Sequence, residues 1–443
     1  MATIRADSAE LRLSGQRTAS PTDKRIEALD FVRGVALCGI LLMNITGFGL
    51  PDAYVNPVNS GGATGANLWA WIITQVGFEG TQRAIFSMLF GASTILLVSR
   101  LEAAGRTDAA DIYYRRNLWL IGFGMVNAFV FLWYGDILYD YGLAALFLFP
   151  FRRLAPKWLI AIGVAGFIAG AAWNGYDTLR LLDKHEAYVE ANAAQSAHRP
   201  LTRAQQDAIA AWSTARKDYK ATPQWIAQVI DSHHQGYLSL FLRLAPVNAD
   251  IESWDAYRYF FDIFSMMLIG MALFKLGVLT NERPARLYWA MLMGGYAVGI
   301  SVNILETRWV IDHQFSALAF AQSNISYDLG RLTMTIGHLG ALLLFVRSGA
   351  LGWLRRAFAA VGQMAVTNYL THSLVCGIFF IGLGFYGELQ RYQLYFVVLA
   401  IWVAQLIVSP LWLRHFRFGP VEWLWRSLTY LKRQPMRRLA AVT

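Results

Sequence analysis

The chain has 443 residues, 56% of them apolar and 14% aromatic, with a formal net charge of +10. Only 15% are charged, against roughly 25% in a soluble domain, which excludes an ordinary water-soluble fold. The basic excess forms no face with interleaved aromatics, which excludes nucleic acid. Cys38 and Cys376 both fall in apolar blocks, which excludes a disulfide framework.

Residues 1–27 are polar without an apolar signal-peptide core, and read as a cytoplasmic tail before an anchoring helix at 28–49. Blocks long enough to cross about 30 Å of hydrocarbon predict further spans over 82–100, 117–134, 135–151 and 157–175. Residues 67–78 are too short to cross and read as a re-entrant or interfacial lead-in. A near-neutral insert, 176–256, follows. Thr202 with Gln205 predicts a capping box there, and Thr222-Pro223 a helix start. Its His233-His234 pair has no carboxylate or cysteine at ligand spacing, so it reads as surface helix and no metal is expected. Five more spans are predicted at 257–279, 285–304, 325–346, 361–384 and 392–413. The tail 414–443 mixes Trp and Tyr with Arg and Lys over 416–438, as an interfacial helix on an anionic leaflet does.

The predicted fold is therefore all-α, a polytopic bundle of about ten transmembrane helices. It divides into two five-helix membrane parts, 28–175 and 257–413, around the insert. Lys and Arg gather at residues 5–25, at 100–116, at Arg152, Arg153 and Lys157, at Arg283 and Arg286, at Arg355 and Arg356, and beyond Arg414. The short loops on the other side hold only Arg308 and Arg391. This asymmetry places both termini in the cytoplasm and the insert outside. No internal repeat is visible. Gly91-Ala92-Ser93 and Gly294-Gly295 read as close helix packing.

Charged side chains inside a bilayer cost about 2.5–3.5 kcal/mol on insertion scales, so each needs a partner or a task. Near the cytoplasmic rim, Asp30 and Arg33 lie three residues apart on one helix face and can pair. The forked, permanently charged guanidinium suits phosphate. At middle depth stand Asn44, Asn127, His338, Asn368 and His372, and either imidazole suits a general base. Towards the outside lie Arg83, Asp136, Asp140, Asp262, Asp328 and Arg331, with Asp328 and Arg331 repeating the three-residue spacing. Together these groups mark a polar path across the membrane. No phosphate loop, nucleophile elbow or paired-cysteine spacing is present.

Five stretches resemble the YeiB-like family of bacterial inner-membrane proteins, which carry a C-terminal domain of unknown function. They are RIEALDFVRGVALCGILLMN (Arg25 to Asn44), FEGTQRAIFSMLFGAS (Phe78 to Ser93), WYGDILYDYG (Trp133 to Gly142), GQMAVTNYLTHS (Gly362 to Ser373) and FGPVEWLWRSLTY (Phe418 to Tyr430). The first helix is also similar to that of the membrane acyltransferase superfamily, which includes OafA-like sugar O-acetyltransferases and heparan-alpha-glucosaminide N-acetyltransferase. That resemblance implies acyl transfer from cytosolic acetyl-CoA or another acyl-CoA to a small-molecule acceptor across the membrane. Arg33, oriented by Asp30, would meet the CoA phosphates. His338 or His372 would take the acceptor's proton, and Asn44 and Asn368 would position the thioester carbonyl. Arg83, Asp136, Asp328 and Arg331 would face the acceptor. The superfamily pattern has a histidine where Asn44 stands, so the base falls to His338, His372 or a carboxylate such as Asp136. The implied location is the bacterial inner membrane and the implied partner the lipid bilayer, with a homodimer left open. The alternative on the same charges is a secondary transporter or exporter of a small polar metabolite.

Overall fold

The structure is a computed structural model describing residues 21–51, 56–60, 62–217 and 219–438. The predicted tail up to residue 20, and the last five residues, lie outside the described residues. Among the described residues the regular structure is helical, apart from one isolated antiparallel bridge between Phe416 and Arg437. In lipid each backbone N–H and C=O must be satisfied within its own segment, and runs rich in Leu, Ile, Val and Ala do so as helices.

The first membrane part comprises α1 (Pro21–Gly49), α2 (Gly65–Gly77), α3 (Thr81–Ala103), α4 (Ala109–Phe129) and α5 (Leu138–Leu146), then a 3₁₀ turn at Phe149–Arg153 and α6 (Pro156–Ser196). The insert adds α7 (Arg203–Lys217), α8 (Pro223–His234) and α9 (Tyr237–Asp250). The second membrane part comprises α10 (Ala256–Lys275), α11 (Ala285–Asp312), α12 (Ala317–Ser323), α13 (Tyr327–Ser348), α14 (Gly352–Gln363), α15 (Ala365–Cys376), α16 (Arg391–His415) and α17 (Pro420–Thr429).

Seven helices among the described residues are long and apolar enough to cross a membrane. They match the predicted spans at 28–49, 82–100, 157–175, 285–304, 325–346, 361–384 and 392–413. The other three predicted passages fall on α4, α5 and α10. The span predicted at 135–151 is corrected: α5 has only nine residues and is followed by the 3₁₀ turn. The chain from 130 to 137 is non-helical because Asp136 turns its carboxylate back onto the N–H of Tyr139 (2.8 Å) and the amide of Asn127 (2.7 Å). Residues 67–78 are the helix α2, which hinges into α3 at Gly80, φ 65°.

Neither edge of the insert is marked by a break in the chain. The fifth span continues as one 41-residue helix to Ser196. A π-helical turn, Ile251–Asp255, joins α9 to α10. The expected caps form: Thr202 and Gln205 bond each other's backbone N–H, and the Thr222 hydroxyl accepts from Trp225 N–H.

Hydrogen bonds between elements mark two ends. At one, Lys275 donates to the carbonyls of Arg152 and Leu154, Asn281 to Leu343, Arg347 to Asn281, and Trp425 to Arg116. At the other, Asn56 donates to Phe315, Asn67 to Gln390, Tyr327 to Glu79, and Gly387 N–H to the Gly49 carbonyl. The arginine-rich end is the cytoplasmic one by the positive-inside rule.

Backbones touch where helices cross at glycine. A Cβ on Gly362 would strike the Asp30 carbonyl, and one on Gly34 the Phe358 carbonyl, so α1 and α14 meet without side chains between them. The crossing of α3 and α10 is built the same way from Gly91 and Gly270. Close approach of this kind replaces the hydrophobic drive that is absent between helices in lipid. Gly362→Ala is expected to cost about 1–3 kcal/mol through overpacking. Thermal unfolding in detergent measures it, and an unchanged midpoint would show that α14 can shift freely.

Candidate functional site

Three cavities follow α1 from one end to the other. Its cytoplasmic half, with Asp30 and Arg33, borders the largest of them, about 470 Å3. The middle one, about 40 Å3, is lined by Asn44 and Arg83, and the outer one, about 310 Å3, by Gly47 and Phe48.

The inner cavity draws arginines from distant parts of the chain: Arg33 of α1, Arg100 of α3, Arg116 of α4, and Arg417 and Arg426 around α17. Two carboxylates share it, and both are already engaged. Asp30 holds Arg33 at 2.7 Å, and the other arm of that guanidinium donates to Ser93 Oγ at 3.0 Å. Glu422 accepts from the N–H groups of Val366 (2.7 Å) and Thr367 (3.0 Å) and from the Thr367 hydroxyl (2.5 Å). These N–H groups open α15, so Glu422 caps a helix that has no cap of its own. Among the described residues, no carboxylate or other acceptor lies within salt-bridge or hydrogen-bond distance of the guanidinium of Arg100, Arg116, Arg417 or Arg426, although Asp30 attracts Arg100 and Glu422 attracts Arg426 from further away. Arg116 lies 4.4 Å above the ring of Trp425, and Arg426 lies 4.6 Å above that of Phe418. Burial above all holds the Arg426 guanidinium below its ordinary value; Tyr430 and Glu422 oppose this, and the like charges of Arg100 and Arg417 add to it. Such crowding is relieved by an anion. Aromatic walls from Phe86, Phe90, Tyr141, Tyr369, Trp425 and Tyr430 complete the cavity.

This alters the reading of the C-terminal tail. The tail helix α17, expected at the membrane interface, packs on protein. Trp425 is buried and donates to the Arg116 carbonyl at 2.8 Å, while Glu422 locks onto α15. Mixed Trp, Tyr and Arg composition is shared by lipid-facing and cavity-closing helices, so composition alone does not separate them.

Tyr141 roofs the inner cavity. Its hydroxyl meets Ser87 Oγ at 2.7 Å and donates to the Arg83 carbonyl at 3.0 Å. One helical turn above, the Arg83 side chain borders the middle cavity with Asn44. The outer charges form a buried network. Arg331, 2% exposed, donates to both oxygens of Asp262 (2.9 and 2.5 Å) and to Asp328 (2.6 Å), and Arg83 reaches Asp262 at 3.1 Å.

The two mid-depth histidines are not brought together. His338 joins the Gly77 carbonyl through Nε2 and the Tyr296 hydroxyl through Nδ1, both at 2.8 Å. His372 meets Gln405 Oε1 at 3.0 Å, and Gln405 donates to the Asn368 carbonyl at 3.1 Å. Asn368 in turn donates to the Val361 carbonyl and Ser409 Oγ, each at 3.1 Å. His372 and Asn368 thus join α15 to α16, while His338 joins α13 to α2 and α11.

The sequence reading missed His233. Expected on a surface helix, it is buried and stacks on Tyr386 with centroids 3.6 Å apart, whereas its neighbour His234 is exposed. Burial lowers its pKa from the ordinary 6.5 to about 4, with Arg243 and His234 adding to the shift and the Val229 carbonyl opposing it. Between these values the unfolded chain binds more protons than the folded one, so stability rises with pH. The contribution is complete above pH 6.5 and is lost as pH falls towards 4. Melting curves at pH 7 and pH 5 should therefore differ less in His233→Phe than in the wild type; equal differences would remove His233 as the cause.

The fold and the apolar helices define a polytopic helical membrane protein with a cationic cavity at one end. The chain belongs to the YeiB-like family. It is 32% identical to the uncharacterized protein YeiB of Escherichia coli over 414 residues, 92% of this chain and 96% of that protein. It is 28% identical to the uncharacterized protein YxaH of Bacillus subtilis, over 95% of this chain and 98% of that one. A 39.9 kDa protein from the amylase 3′ region of Bacillus acidopullulyticus is 24% identical, over 94% and 96%. Residues 273–432 match the model of DUF418, a protein family of unknown function. No solved structure matches the chain.

Proposed function

We propose that this protein is an acyltransferase of the bacterial inner membrane that uses cytosolic acyl-CoA as donor. The observation that carries the reading is the inner cavity, where unpaired arginines and aromatic walls face one space at the cytoplasmic end. A ligand with several phosphates and an apolar arm satisfies both linings, because guanidinium forks bind phosphate and the aromatic walls take the arm. Asp30 fixes the Arg33 fork, and Ser93 shares it. In the reaction, the acceptor's oxygen or nitrogen attacks the thioester carbonyl, the C–S bond breaks, and the acceptor's proton passes through a base to the departing CoA thiolate. Asn44 would orient the carbonyl; it lines the middle cavity together with Arg83. His338 and His372 spend their hydrogen bonds on neighbouring helices in this conformation.

The test is transfer of label from [14C]acetyl-CoA in inside-out vesicles. The expected result is label in a non-CoA product, lost in Arg33→Ala. Three cavities along one helix also suit the second reading, a transporter of a small anion. Counterflow of a labelled anion without any CoA ester would favour that reading and sink the first.

A further inference from the structure

The outer cavity is bounded by the end of α1, the loop before α5, the end of α15, and the insert helices α8 and α9. Its walls are mainly apolar and aromatic, among them Phe48, Trp133, Trp225 and Tyr386. At about 310 Å3 it falls at the lower end of the roughly 300–1,000 Å3 typical of small-molecule sites. The insert is fastened over it. Asn248 donates to the Ala128 carbonyl, and Tyr237 to the Val130 carbonyl at 2.9 Å. Tyr386 is held in place by the bond from Gly387 N–H to the Gly49 carbonyl at 2.9 Å.

His233 is the ionisable group of this cavity whose ring geometry is fixed on one side and free on the other. Nδ1 meets the Val229 carbonyl at 2.7 Å. A carbonyl only accepts, so Nδ1 carries the hydrogen and Nε2 is the bare lone pair. Among the described residues nothing bonds Nε2, although the residue is only 6% exposed. Stacking on Tyr386, nearly parallel at 2°, fixes the ring plane. Arg243 donates to the Val229 carbonyl (3.2 Å) and to Ser232 Oγ, so its charge is turned onto the helix that carries His233. A bare, pre-oriented acceptor in an apolar cavity selects a ligand that brings its own donor, since an unmatched polar group there is costly.

We propose that the outer cavity binds an alcohol or amine with an aliphatic or ring body, its O–H or N–H donated to Nε2 of His233. On the acyl-transfer reading this ligand is the acceptor, and His233 stands at the opposite end of α1 from the donor's arginines. Arg33 and Gly47 are fourteen residues apart, or about 21 Å along the helix.

The test uses no CoA ester, so its outcome is separate from that of the donor site. Diethyl pyrocarbonate acylates a neutral imidazole with a free nitrogen, and peptide mass spectrometry reads each histidine. The probes are 1-octanol and octyl methyl ether, which share an apolar body but differ in the O–H. His233 should react in wild-type protein in detergent. Octanol should protect it at about a fivefold lower concentration than the ether, the worth of one neutral hydrogen bond, with exposed His198 unaffected. A Cβ on Gly377 would meet nothing within 4 Å, so Gly377→Leu should fill the cavity and abolish protection. An unreactive His233, equal protection by the two probes, or none by either would overturn the proposal. Loss of acetyl-CoA binding would overturn the donor reading and leave this one standing.

Discussion

Arg33→Ala is expected to weaken acetyl-CoA binding roughly 10- to 150-fold, corresponding to about 1.5–3 kcal/mol for a hydrogen bond between charged groups. The geometry explains why a single arginine counts for so much. Asp30 and Ser93 hold the guanidinium at 2.7 and 3.0 Å, so the ligand incurs little ordering cost. Removing Arg33 also leaves Asp30 unpaired at the cavity wall, where it repels phosphate. Arg33→Lys keeps the charge but loses the fork, and should fall between the two. Thermal stability as a function of ligand concentration measures the effect, because a ligand that binds only the folded state stabilises it with the logarithm of concentration. Rising salt should weaken the wild-type interaction in the same assay. Equal stabilisation of wild type and Arg33→Ala would remove the inner cavity as the donor site.

Asp262→Asn is expected to destabilise the protein by about 3–5 kcal/mol, the cost of breaking a buried ion pair from one side. Asp262 serves two arginines at once: Arg331 through both oxygens and Arg83 at 3.1 Å. Its loss leaves the buried Arg331 with Asp328 as its remaining acidic partner and Arg83 without this one. Asp328→Asn removes a single bond and should cost less, about 1–3 kcal/mol. Reversible unfolding in mixed micelles compares the two. Wild-type stability in Asp262→Asn would show that this network holds nothing together.

The two charged pairs illustrate what spacing conveys. Asp30 with Arg33, and Asp328 with Arg331, were legible because three residues along a helix bring side chains onto one face, and both pairs form. Asp262 lies 69 residues from Arg331, and nothing local announces that it joins them. Arg331 and His338 share a face of α13 yet have different partners, since which neighbour each meets depends on the helices packed beside it. Asp136 was recognised as an outer charge, but its turn onto Tyr139 N–H, which shortens the fourth passage to nine helical residues, was not.

The sequence by itself determined that this is a helical membrane protein of the YeiB-like family. Hydrophobic length and basic flanks act along the chain, one segment at a time, so they survive without knowledge of neighbours. Tertiary structure alone decided which residues converge. Arg100, Arg116, Arg417 and Arg426 each look like part of a positive rim until α17 closes against α4 and α15. His233 looks like a surface residue until Tyr386, more than 150 positions later, stacks on it. Depth is set by transfer from water to lipid, whereas position around the bundle is set by contacts such as those at Gly34 and Gly362, where two backbones touch.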